Sequence, residues 1–163
     1  MQLYSIASGS SGNCIYAGDD ERGFLVDVGT SFKKIREGLF MQGLSLDNLE
    51  GILITHEHSD HIAGLGALLR KSPVPVYATA DTIKKIWEKC NMNNVSPELF
   101  HSIRSGEEFS VSDYCIKSFR ISHDAVDPVC YTLKKEGIKL GIATDMGVFD
   151  DTIIENLGDC DTV

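Results

Sequence analysis

At 163 residues the chain suits one folded domain, residues 1–163, and 42% apolar with 24% charged residues excludes a disordered or fibrous polymer. Fifteen bases against 24 acids leave a formal net charge of −9, which excludes a broad basic face of the kind that holds nucleic acid by counterion release; a phosphate ligand would need a bound cation. The charge is uneven, since residues 145–163 hold Asp145, Asp150, Asp151, Glu155, Asp159 and Asp161 and no base.

In chain order, the pattern predicts strands at Leu3–Ala7, Cys14–Ala17 and Phe24–Val28, separated by a Gly/Ser turn ending in Asn13 and by Gly18-Asp19-Asp20. Phe32, Ile35 and Leu39 mark a helix with one buried stripe that stops at Gly43. Gly51–Ile54 is a short continuous apolar run, expected as a strand buried on both faces, and a histidine-rich turn follows it at once. Ile62–Lys71 is expected as a helix. Pro73–Ala78 reads as a strand whose prolines place it at a sheet edge or a strand start. Thr79 caps the next helix, with Ile83, Ile86, Trp87 and Cys90 on one face.

From Phe109 onward the pattern returns to strands, at about Tyr114–Ile121, Val129–Lys134 and Ile138–Ala143, with Glu136-Gly137 as a tight turn between the last two. A short acidic helix over 149–157 precedes Cys160–Val163, which reads as the opening of another strand and suggests the N-terminal part of a longer protein. The five cysteines show no C-x-x-C spacing, so free thiols are expected rather than disulfides or a thiolate site. No apolar run approaches 18 residues and Met1–Tyr4 lacks a leader pattern, so the expectation is a cytoplasmic chain that does not enter membranes.

The chemistry concentrates in Thr55-His56-Glu57-His58-Ser59-Asp60-His61, where three of the five histidines fall within six residues around an aspartate. Imidazole nitrogen and carboxylate oxygen suit zinc, manganese or iron. On a turn at a strand end, His56 and His58 can point to one side and grip one ion, while Asp60 and His61 on the next bend face a second. His123 and Asp145 each follow a predicted strand, the position where ligands collect in layered sheet proteins, and Asp27 is a candidate carboxylate for orienting a ligand histidine. His101 fits no such pattern and is expected to be structural.

Val26-Asp27-Val28-Gly29, His56-x-His58-x-Asp60-His61, His123 and Thr144-Asp145 resemble, in order and spacing, the first four motifs of the metallo-β-lactamase fold hydrolases. The opening Ser8-Gly9-Ser10-Ser11-Gly12-Asn13-Cys14 is similar to the bacterial YycJ or WalJ branch, which is associated with 5′-to-3′ exonuclease activity. The resemblance implies an α/β (in some schemes α+β) fold, an αββα sandwich of mixed sheets flanked by helices, of which this chain is the N-terminal portion. It implies two divalent metal ions, zinc foremost and manganese or iron as substitutes. By that resemblance His56, His58 and His123 hold the first ion, Asp60 and His61 the second, and Asp145 bridges them. The family closes its second site with a further histidine, and no histidine follows His123 here.

The implied activity is that of a metal-dependent hydrolase, a phosphodiesterase or nuclease acting on DNA through a metal-activated hydroxide, with Asp60 as proton carrier. Two alternatives accompany it. The same centre could hydrolyse a small ester, thioester or lactone, or the chain could be an inactive metal-binding fragment that pairs with another copy through its exposed last strand.

Overall fold

The computed structural model describes residues 1–163 as two stacked sheets with helices on both outer faces. The first sheet has the order β1-β2-β3-β4-β5-β6, formed by Gln2–Ala7, Cys14–Gly18, Gly23–Val26, Leu49–Leu53, Val76–Thr79 and Phe100–Ile103. The β1-β2-β3 meander is antiparallel, whereas β3 through β6 run parallel. The second sheet is antiparallel throughout, in the order β10-β9-β8-β7, from Ile138–Ile142, Val129–Lys135, Tyr114–Arg120 and Glu108–Val111.

Strand alternation sorts the apolar residues into two cores. On one face of the first sheet, Tyr16, Leu25, Ile52 and Ala78 pack under helices α1 (Phe32–Met41), α3 (Leu65–Lys71) and α4 (Ala80–Lys89), which contribute Ile35, Leu39, Leu65, Leu68 and Ile86. On the other face, Ala17, Phe24, Val26 and Leu53 meet Tyr114, Ile116, Tyr131, Leu133 and Leu140 of the second sheet. Helix α5 (Asp151–Leu157) covers the far side through Ile153, which packs with Phe119, Ile121 and Cys130. The expected αββα layering is therefore present, and β3 is apolar throughout, as is β4 apart from Glu50 near its start, because both of their faces are covered. At the rim, Lys135 Nζ reaches Asp19 and Asp113 at 2.6 and 2.8 Å and ties the turn between β2 and β3 to the second sheet.

Several expected boundaries move. The third strand stops at Val26 rather than Val28, because Asp27 takes a left-handed backbone with φ of 60° and turns the chain inward. The helix expected over Ile62–Lys71 is two helices, α2 (Ser59–Ile62) and α3, with Ala63-Gly64 between them. The carbonyls of Asp60 and His61 are diverted from helical bonding to accept the Asn13 and Val28 amides, each at 2.7 Å, and the Gly64 amide donates to Val28 at 2.8 Å.

Strand β5 is interior, and its two prolines precede the strand start. The edge belongs to β6, whose half-exposed Phe-His-Ser-Ile sequence has no apolar run to announce it. Trp87, expected on the buried face of α4, is 36% exposed. Glu136-Gly137 is the expected two-residue turn, with φ of 51° and 81°. Thr162 bridges Leu140 in parallel beside β10. All five cysteines are free, but only Cys14 and Cys130 are buried. No helix is long and apolar enough to cross a membrane.

Three loops are thus laced by backbone hydrogen bonds: 8–13, 27–30 and 55–64. Gly29 sits at the crossing, where its amide donates to the Asn13 carbonyl at 2.8 Å and any Cβ would overlap the Asp60 carbonyl. Gly29→Ala is expected to cost about 3 kcal/mol or more, since backbone rather than a movable side chain blocks the methyl. Urea unfolding of the variant beside the unmodified chain measures this.

Candidate metal centre

The laced loops lie at the ends of β1, β3 and β4, and the loops after β8 and β10 join them. Each brings polar side chains to one place. His56, His58, Asp60 and His61 come from the segment after β4, His123 from the β8–β9 loop and Asp145 from the segment after β10.

Asp27 is almost fully buried and organises the group. Its Oδ1 accepts the Thr55 amide at 2.8 Å, and its Oδ2 accepts the Thr55 hydroxyl at 2.7 Å and lies 2.7 Å from His61 Nδ1. The Thr55 hydroxyl spends its only proton on Asp27, so its contact of 2.9 Å with His56 Nδ1 requires that nitrogen to carry the hydrogen. His56 and His61 are therefore both protonated on Nδ1 and present Nε2 to the cluster.

His56 Nε2 and His123 Nε2 each lie 3.2 Å from His58 Nδ1. One N–H on His58 cannot satisfy both neighbours, whereas a cation satisfies three lone pairs at once. Four-coordinate zinc with Zn–N bonds of about 2.0–2.1 Å has ligand-to-ligand edges of about 3.3 Å, so the spacing fits a tetrahedral ion. Beside this triad, His61 Nε2 lies 3.1 Å from Asp145 Oδ2 and 3.5 Å from Asp60 Oδ2. The ligand atoms of His56, His61 and Asp145 all fall within 4.8 Å of one another, so Asp145 lies near a member of each set. The His/Asp group is thus able to hold metal.

All six expected ligand residues and Asp27 are brought together. His101 lies instead on β6, its ring stacked on Tyr77 at 5.1 Å. Three residues were missed as site residues. Asn13 Nδ2 lies 3.0 Å from His61 Nε2 and donates to Asp60 Oδ2 at 3.2 Å; its place at the end of the Gly/Ser turn was the available signal. Thr55 was signalled only by its position before His56. Buried Glu57 accepts the Val126 amide on Oε1 at 3.0 Å and so fastens the loop that carries His123, a link between distant segments that leaves no trace in the sequence.

A Beta-lactamase superfamily domain model matches residues 22–163. The chain belongs to the metallo-β-lactamase superfamily. Within the superfamily it is similar to Exodeoxyribonuclease YycJ of Bacillus anthracis, with 41% identity over 149 residues, covering 90% of this chain and 54% of the relative. It is similar too to Exodeoxyribonuclease WalJ of Streptococcus pneumoniae, with 40% identity over 157 residues, covering 94% and 58% respectively. The chain therefore spans little more than half the length of these curated relatives. Among solved structures, human tRNase Z, short form, aligns at a TM-score of 0.73 with 18% identity, over 99% of this chain and 76% of that one. Zn²⁺-bound PqqB from Methylobacterium extorquens aligns at 0.73 with 18% identity, over 91% and 57%. At that identity the likeness is one of metallo-β-lactamase fold.

Burial, reinforced by His61, His123, His58 and Lys89, pushes His56 down to about 3, which keeps its imidazole neutral. Burial also opposes charge on His61, but the hydrogen bond and charge of Asp27, with Asp145 and Asp60, outweigh it and raise that histidine. Without metal, unfolded His56 takes up a proton near pH 6.5 and the folded residue only near pH 3, so stability falls as pH drops between them. The expected slope is about 1.4 kcal/mol per pH unit. His61 acts in the opposite sense, since its raised folded value gives a stabilisation that is full below the unfolded value and is lost as pH rises through the folded one. Urea unfolding of chelator-treated protein from pH 6.5 to 5 should show the His56 slope, and His56→Asn should remove it. Asp27→Asn should weaken metal affinity about 10- to 100-fold by freeing the His61 ring, as metal-competition titration would show.

Proposed function

We infer that this chain carries the reaction centre of a metal-dependent phosphodiesterase that degrades DNA from a 5′ end. The observation that carries the reading is the convergence of three imidazole nitrogens, two of them 3.2 Å from the third, beside the His61, Asp60 and Asp145 set. The similarity to two exodeoxyribonucleases at 40–41% identity supports DNA as the substrate class over an ester, thioester or lactone.

In this reading His56, His58 and His123 hold one divalent cation, Asp60 and His61 a second, and Asp145 is shared. Zinc suits the all-nitrogen triad, and the carboxylates of the second set also suit manganese. Such ions, when bound, supply a water acidified to near neutrality and polarise the phosphoryl oxygen that gains charge.

The protein's own groups do the rest. Asp27 and Thr55 fix the tautomers of His61 and His56, so neither ring must reorganise to present its lone pair. Asn13 holds Asp60 through Oδ2, leaving Oδ1 free to carry the proton to the departing oxygen. The half-exposed positions of His58, Asp60 and His123 leave the cluster open to a strand arriving from solvent, while buried His56 and His61 form its floor.

The test combines elemental analysis with nucleotide release from linear DNA in added Mn²⁺ or Zn²⁺. His58→Ala should lose at least one metal equivalent per chain and at least 100-fold in cleavage, with an unchanged circular dichroism spectrum. Equal metal content and turnover in the variant would overturn the assignment.

A further inference from the structure

The net charge of −9 hides a strong local asymmetry. Residues 70–89 carry five bases (Arg70, Lys71, Lys84, Lys85, Lys89) against two acids, whereas residues 145–163 carry six acids and no base. Arg70, Lys71, Lys84 and Lys89 have no carboxylate within 4.0 Å, while most bases elsewhere, such as Arg22, Arg120, Lys135 and Lys139, are paired. Four cations without a carboxylate partner thus lie along α3 and α4, as many as in all the rest of the chain, where Lys34, Arg36, Lys117 and Lys134 are scattered.

Two of them border a cleft of 340 Å³ between these helices, lined also by Ser59, Ile62, Ala67 and Asn91. The cleft adjoins the metal centre through the same turn. Ser59 stands between His58 and Asp60, and Lys89 Nζ donates to the carbonyl of Glu57 at 3.2 Å. Arg70 Nη1 donates to the Asn91 carbonyl at 2.9 Å, which steadies the guanidinium while leaving other N–H groups for a ligand. Gly66 permits this packing, since a Cβ there would overlap the Asn91 carbonyl. Neither cation is used by the centre, and neither is committed to an acid of the fold.

We propose that the α3–α4 cleft is a backbone-binding subsite for a single-stranded polynucleotide, with Arg70 and Lys89 each taking a phosphate next to the one at the metal centre. The inference rests on the phosphodiesterase reading for its ligand class, and its chemistry follows from the cleft. A forked guanidinium and an ammonium suit phosphate oxygens, the Ser59 hydroxyl can donate to another, and the apolar floor at Ile62 and Ala67 can lie against a base or sugar. The acidic 145–163 segment would repel the same strand, so the charge asymmetry selects the side from which it approaches.

The experiment measures binding without turnover. Fluorescence anisotropy of a labelled oligothymidylate with chelator-treated protein is recorded against salt for the unmodified chain, R70Q/K89Q, R70K/K89R and K117Q/K134Q. The last pair removes the same charge from the second sheet, where neither lysine has a carboxylate partner. R70Q/K89Q is expected to bind about 10-fold more weakly near 0.1 M salt, with the slope of log K against log salt reduced by about 1.4, two phosphate contacts at about 0.7 each. R70K/K89R should stay within about threefold of the unmodified chain, as should K117Q/K134Q.

Equal loss in R70Q/K89Q and K117Q/K134Q would reduce the effect to net charge and overturn the proposal, as would unchanged binding in R70Q/K89Q or no binding by the unmodified chain. Failure of the hydrolase reading is seen separately. DNA cleavage with normal oligonucleotide binding by R70Q/K89Q removes the cleft alone, whereas cleft-dependent binding without cleavage by the metal-loaded chain removes the hydrolase alone.

Discussion

The arrangement depends on one buried carboxylate. Asp27 sits where β3 ends, sealed from water, and takes three hydrogen bonds from two residues that lie beyond the neighbouring strand. A charge in that position is tolerable only because each interaction is short and directed, and because His61 is held toward its charged form beside it. The same bonds fix which nitrogens of His56 and His61 face the cluster. Satisfying a buried charge and orienting two histidines of the cluster are therefore one structural event.

The backbone around Asp27 extends this constraint. Its left-handed turn brings Val28 and Gly29 against the segment that carries Asp60 and His61, and the crossing is close enough that glycine is required at 29. Carbonyls that would have continued a helix through Ala63 and Gly64 are spent on these inter-loop bonds. The break between α2 and α3 is thus the local cost of tying the histidine-rich turn to the strand ends. Because the sheets behind it are covered on both faces, that turn is anchored to rigid strands, which keeps the ligand atoms converged.

Charge distribution adds a direction to the site. The acidic segment after β10 supplies Asp145 to the cluster and continues as a negative surface, while α3 and α4 on the other side carry unpaired bases. Overall acidity speaks against a generally basic nucleic-acid face, but it does not forbid a short positive stripe beside a candidate metal centre.

The sequence by itself marked the candidate metal-binding residues, and its resemblance to a known family implied the layering. The density of histidine and aspartate after a buried strand marked the candidate ligand turn, a continuous apolar run marked a strand covered on both sides, and Asp27, His123 and Asp145 lay at recognisable strand ends. These features are local, and ligand types and burial patterns are written one residue at a time. The tertiary structure alone decided which distant groups meet. The edge strand at Phe100–Ile103 has weak local preference and exists because β5 offers it a partner. The split of the helix after His61, the closure of Asn13 onto Asp60 and His61, and the fastening of the His123 loop by Glu57 all depend on hydrogen bonds between segments remote in sequence. Such contacts arise from chain crossing, and no periodicity or composition encodes them.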